Sequence, residues 1–164
     1  MPVRRLVCGG MTVDELGAYG LEQLTDDEIN AFLANQRMGV LGLPTDDGPY
    51  MVPLSFGFDG GSRLYFTYVL GGESRKADLS ERADHATFLA YSAESPYNWE
   101  SVSVTGRLEA VPESEWDEIE DLLAEAWRPG FFEAAAASVD VAVYRLRIEE
   151  WSGVKHTGLP PGFD

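Results

Sequence analysis

The chain has 164 residues, with 28 acidic against 12 basic side chains and a net charge of −16. That length suits one domain with a substantial core, and the charge repels nucleic acid and anionic membranes, which removes both as partners. A single cysteine, Cys8, rules out an internal disulfide and suits a reducing cytoplasm. Lysine occurs only at Lys76 and Lys155, and an acidic surface poor in lysine points to a halophilic source, where salt screens self-repulsion. No signal peptide is recognisable, and the apolar runs are too short for a membrane span.

Residues 1–24 read as a surface lead-in. The first ten, MPVRRLVCGG, hold Arg4 and Arg5 with no acid, and are read most simply as lying upstream of a true start at Met11. One domain is expected over residues 25–157, followed by a mobile Gly/Pro-rich tail over 158–164. Thr25-Asp26-Asp27-Glu28 is a capping box, in which Thr25 and Glu28 satisfy each other's orphan backbone donors. It opens a helix to about Asn35, with Ile29, Phe32 and Leu33 inward. Arg37 to Leu43 reads as a short strand ended by Pro44.

From Tyr50 to Phe58, the residues Tyr50, Val52, Leu54, Phe56 and Phe58 alternate with Met51, Pro53, Ser55 and Gly57. A period of two predicts a strand with one face in a core. The other face is bare, as where something lies flat against the backbone. Asp59-Gly60-Gly61 supplies a hairpin turn. The returning strand, Leu64 to Tyr68, leads into Gly71-Gly72-Glu73-Ser74-Arg75-Lys76. There a hydroxyl and two cations stand where a helix to Arg82 begins, a place suited to a phosphate.

His85 to Ser92 is mostly apolar and predicts a strand buried on both faces, with a loop over 93–98. Glu100 to Val111 alternates, with Val102, Val104, Gly106, Leu108 and Ala110 on one side. Pro112 opens an amphipathic helix whose apolar stripe is Trp116, Ile119, Leu122, Leu123 and Ala126. Residues 128–138 read as a loop, and Val139 to Trp151 as the last strand. Five or six strands joined mostly by short turns, with no βα repeat, predict a mainly β protein, a small antiparallel barrel with a few helices.

The motif inventory is mostly negative. There is no Rossmann glycine fingerprint and no P-loop. Two histidines, His85 and His156, and one cysteine make a zinc site improbable, and no metal is expected. No catalytic acid, base or nucleophile stands out. What remains is an enzyme whose chemistry comes from a bound organic cofactor, or a binding protein.

In this order and spacing, the residues from Arg37 to Lys155 resemble the FMN-binding split-barrel proteins related to pyridoxamine 5′-phosphate oxidase, and within them the nitroimidazole-resistance-type branch. The resemblance implies an antiparallel, six-stranded, Greek-key-like split barrel, with FMN bound at the interface of a homodimer. It implies that Met51, Val52, Pro53 and Leu54 face the flavin ring through their backbone. Phe66 and Thr67 would touch the flavin tail, and Ser74, Arg75 and Lys76 would clamp its phosphate. Ser101 and Trp151, the latter in a Trp-x-Gly motif, would reach the site from the second subunit. Two departures weaken true pyridoxamine phosphate oxidation: Ser55 stands where the oxidases carry a basic residue, and Val154-Lys155-His156-Thr157 replaces their substrate-phosphate signature. The activity implied is an FMN-dependent oxidoreductase acting on a small molecule. The alternatives are a relative using deazaflavin or haem, or a split-barrel binding protein without turnover.

Overall fold

The computed structural model describes residues 4–5, 17–125 and 140–159, and its strands join one curled sheet. In chain order the elements are β1 (Arg4–Arg5), β2 (Leu21–Gln23), α1 (Asp26–Asn35), β3 (Met38–Leu43), β4 (Tyr50–Ser55), β5 (Gly57–Phe58), β6 (Arg63–Leu70), α2 (Arg75–Arg82), β7 (His85–Ser95), β8 (Asn98–Ala110), α3 (Trp116–Glu125) and β9 (Asp140–Thr157). Cys8, Ala126, the expected loop 128–138, Val139 and the tail beyond residue 159 lie outside the described residues.

The strand order is β4-β3-β7-β8-β9-β6-β5. β4 and β5 sit at opposite edges, yet only Phe56 separates them in the chain. The sheet must therefore curl until its edges approach one another. This is the expected six-stranded split barrel, with β4 and β5 counted as one bent strand. Phe56 makes the bend: its N–H donates to the Arg37 carbonyl at 3.1 Å, and its ring is buried against Phe88, centroids 4.9 Å apart. The single continuous strand expected over 50–58 is thus two, because it must leave one edge and join the other. Pairing is antiparallel except at β1, which runs parallel to β9 at Glu150 and Trp151.

Local chemistry sets several of these elements. The capping box forms as expected, with Thr25 N–H donating to Glu28 Oε2 at 2.7 Å and Glu28 N–H to Thr25 Oγ1 at 3.3 Å, and Ile29, Phe32 and Leu33 are buried. In the β5–β6 turn, Asp59 Oδ1 accepts the N–H groups of Gly61, Ser62 and Arg63 at 2.9–3.0 Å, while Gly60 takes a φ of 77° that side chains disfavour.

Within the lead-in, residues 17–19, 22 and 23 are exposed, β2 pairs with β9, and Leu24 is buried with its N–H on the Gly153 carbonyl. Three expectations are corrected. β7 is buried on one face only, since Ala86, Phe88 and Ala90 point inward while His85, Thr87 and Tyr91 are exposed. The strand also runs on to Ser95, so most of the expected loop is hairpin. On β8, Val102, Val104, Gly106 and Leu108 are buried on one side as expected, but Ala110, the last residue of the strand, is exposed.

Candidate functional site

The turn before α2 is set by Gly72, at a φ of 77°. Ser74 caps the helix, its Oγ accepting from the Ala77 N–H at a long 3.4 Å. The next two residues are cations, and each lies over an aromatic ring rather than beside a carboxylate. The Arg75 guanidinium is 5.1 Å from the centroid of Tyr50, and Lys76 Nζ is 4.6 Å from that of Tyr68. Arg107, Arg145, Arg147 and Lys155 all make ion pairs with glutamates. Among the described residues, Arg75 and Lys76 make none, and neither do Arg37, Arg63 and Arg82, but only Arg75 and Lys76 lie over aromatic rings. Arg75 is exposed and Lys76 half-buried, and burial pushes the Lys76 pKa below its ordinary value. A half-buried cation with no counter-charge lacks the partner that would offset its desolvation. The donor set of a hydroxyl, a guanidinium and an ammonium fits a phosphate.

The support beneath these cations is rigid. The Tyr68 ring is fully buried, its hydroxyl 2.9 Å from Ser80 Oγ, and it stacks on Tyr144 at 4.6 Å. Sequence reading missed both Tyr50 and Tyr68 as partners of the cations. Tyr68 was legible only as a strand residue, and its meeting with Lys76 depends on how α2 folds back on β6.

The other expected site residues divide. Met51 and Pro53 are exposed on the outer face of β4, while Val52 and Leu54 turn their side chains to the core and leave only backbone for a ligand. Ser101 shares the outer face, but on β8, three strand spacings from β4, or about 14 Å. Within one chain it is too far to touch a ring lying on β4, and a second subunit would have to supply it.

Phe66 and Thr67 point to opposite sides of β6. Phe66 is fully buried, 5.2 Å from Phe88. Thr67 faces the opposite side of β6, in a groove of about 440 Å³ against Trp116, Leu123 and Val143. Trp151, expected to close the site from a second subunit, is turned inward. Its register opposite Val104 puts it on the core face, where its Nε1–H donates to Asp26 Oδ1 at 3.1 Å. At Gly57 the bare face is already covered, since a Cβ there would lie 2.5 Å from the Leu122 carbonyl oxygen of α3.

Residues 25–155 match the family described as pyridoxamine 5′-phosphate oxidase. The chain belongs to that family. Solved structures agree on the fold of this family member. An FAD-binding protein from Mesorhizobium loti is 23% identical, with a TM-score of 0.63 over 84% of this chain and 99% of that one. A proposed 5-nitroimidazole antibiotic resistance protein from Bacteroides thetaiotaomicron is 17% identical, with a TM-score of 0.63 over 83% of this chain and 89% of that one. A flavocytochrome from Azotobacter vinelandii is 20% identical, with a TM-score of 0.65 over 97% of this chain and 78% of that one. No curated protein matches the chain significantly.

The two histidines of this family member are engaged elsewhere. His85 Nε2 lies 3.1 Å from Glu149 Oε2. His156 is buried, with Nδ1 2.9 Å from the Tyr97 carbonyl, its ring between Tyr97 and Trp99, and Nε2 turned towards Gly20. A haem ligand needs a ring nitrogen facing open space, and His156 offers none. Lys155, in the segment that replaces the oxidases' substrate signature, is held by Glu28 at 2.7 Å and Glu22 at 3.6 Å.

Proposed function

We propose that this chain is a homodimeric FMN-binding oxidoreductase with its flavin sites between subunits. The observation that carries the reading is the adjacent pair Arg75 and Lys76, each held on an aromatic ring and without a carboxylate partner among the described residues. Arg75, Lys76 and the Ser74 hydroxyl hold the phosphate. The outer face of β4 at Met51 and Pro53, with its backbone, orients the ring, and Ser101 of the second subunit reaches it. FMN, when bound, supplies hydride or electron transfer between a reduced donor and a small organic acceptor. The protein contributes position and a local positive charge. Structures described as FAD-binding and as a flavocytochrome support a flavin at this fold.

A second observation supports the dimer. Cross-strand pairs align Pro53, Val40, Leu89 and Ser103 in one outer row, and Met51, Gly42, Thr87 and Thr105 in the next. Met38 and Tyr91 extend this outer face, 42% and 59% exposed. None of these residues is charged. In so acidic a chain, a neutral sheet face four strands wide fits a second copy laid against it.

The deciding measurement is the visible spectrum of the protein purified in high salt, with the released ligand identified by mass. An oxidised-flavin band and released FMN support the reading. A colourless protein that refuses added FMN overturns it, and a Soret band or a deazaflavin mass replaces the cofactor.

A further inference from the structure

We infer that Tyr50 and Tyr68 are positioning residues for the phosphate clamp, holding its two cations by their ring faces so that the charges stay available to a ligand anion. The inference rests on the flavin phosphate reading above. A surface cation in this chain has many carboxylates to choose from, and a carboxylate partner both fixes a cation and neutralises it. A ring face fixes without neutralising, because its quadrupole attracts the cation yet carries no net charge. Arg75 and Lys76 are both held this way, at 5.1 Å and 4.6 Å from the two centroids. Two adjacent residues adopting the same uncommon partner point to a shared task.

The rings are themselves fixed. Tyr68 is locked by Ser80 and Tyr144, and Tyr50 opens β4 and packs on the core. The two rings come from different strands, β4 and β6, which belong to opposite edge regions of the sheet. The clamp thus spans the place where the barrel closes, and it is assembled only when β4 is in position.

The test compares the affinities of FMN and riboflavin, which differ only by the phosphate, in the intact chain and in Tyr50→Leu, Tyr50→Phe, Tyr68→Leu and Tyr68→Phe. Losing one ring face is expected to weaken FMN by about three- to tenfold and leave riboflavin unchanged, with the Phe variants restoring most of the difference. Tyr50 is only half-buried, so its Leu variant keeps the test open if Tyr68→Leu does not fold. Equal loss of both flavins in the Leu variants, or an unchanged FMN-to-riboflavin ratio, overturns the positioning role. The Arg75→Ala/Lys76→Ala chain separates the two levels. If that variant loses the preference for FMN while the Leu variants keep it, the clamp stands and the ring-face inference falls. If it keeps the preference, or the wild type has none, the phosphate reading fails and takes this inference with it.

Discussion

Arg75 and Lys76 are chemically ordinary residues in an unusual electrostatic position. Of the other described cations, Arg107, Arg145, Arg147 and Lys155 are tied to carboxylates, while Arg37, Arg63 and Arg82 are not. Arg145 donates to Glu109 at 2.7 Å and to Glu115 at 2.9 Å, and Arg147 also bonds Glu109. Burial opposes the ionisation of Glu109, but the hydrogen bonds from Arg147 and Arg145 outweigh it and hold its pKa below the ordinary value. No such compensation reaches Lys76, whose charged form is disfavoured by burial. A bound phosphate would reverse that balance. Replacing Arg75 and Lys76 together by Ala is therefore expected to raise the FMN Kd by on the order of 100-fold or more, since charge-assisted bonds contribute about 1.5–3 kcal/mol each. Titration by flavin fluorescence quenching measures it, and near wild-type affinity would refute the clamp.

At the scale of elements, the start of α1 joins local capping to a distant strand. The Lys155 ammonium of β9 and the Thr25 N–H and hydroxyl lower the Glu28 pKa from 4.5 to about 2. The folded value is below the unfolded one, so this contribution is complete above about pH 4.5 and is lost as pH falls towards 2. In Glu28→Gln, stability is expected to depend less steeply on pH across that window, as read from urea midpoints at a series of pH values. Parallel profiles for the two proteins would remove Glu28 from the account.

The approach of α3 to β5 makes a different kind of demand. An alanine Cβ at Gly57 would sit 2.5 Å from a backbone oxygen, which no rotamer change relieves. Gly57→Ala is expected to displace α3 and destabilise the fold by about 1–3 kcal/mol, seen as a lower urea midpoint together with altered Trp116 fluorescence. A variant as stable as wild type would show that the contact gives way easily.

For the whole molecule, the neutral outer face of β4, β3, β7 and β8 is what a monomer of this charge has least reason to keep. Leu89 is central to it, paired with Val40 and Ser103. Leu89→Asp adds a like charge on each side of a two-fold interface and leaves the opposite, core face of β7 untouched. On the proposed dimeric site, the expected result is a folded monomer by light scattering that no longer retains FMN, since Ser101 of a second subunit would be missing. A Leu89→Asp protein that remains dimeric would exclude this face as the interface.

The amino-acid sequence alone determined the features whose causes lie within a few residues of one another. These are the Thr25–Glu28 capping box, the Asp59-Gly60 turn, the alternation along β8 and the cation pair that opens α2. The family was carried by the order and spacing of other short motifs, the strand at Met51 to Leu54, Phe66-Thr67, Ser74-Arg75-Lys76, Ser101 and Trp151-Ser152-Gly153. Tertiary structure decided the rest. The split at Phe56 arises from closure of the sheet, which asks one strand to serve two edges. The exposure of β7 follows from the outer face being left uncovered, which apolar content cannot announce. Trp151 turns inward because its register with β8 places it opposite Val104, and α3 occupies the bare backbone at Gly57. Lys76 finds Tyr68, rather than a carboxylate of the described residues, only once α2 folds back against β6. Strand closure and cross-strand register are properties of pairs distant in the chain, and no window of residues contains them.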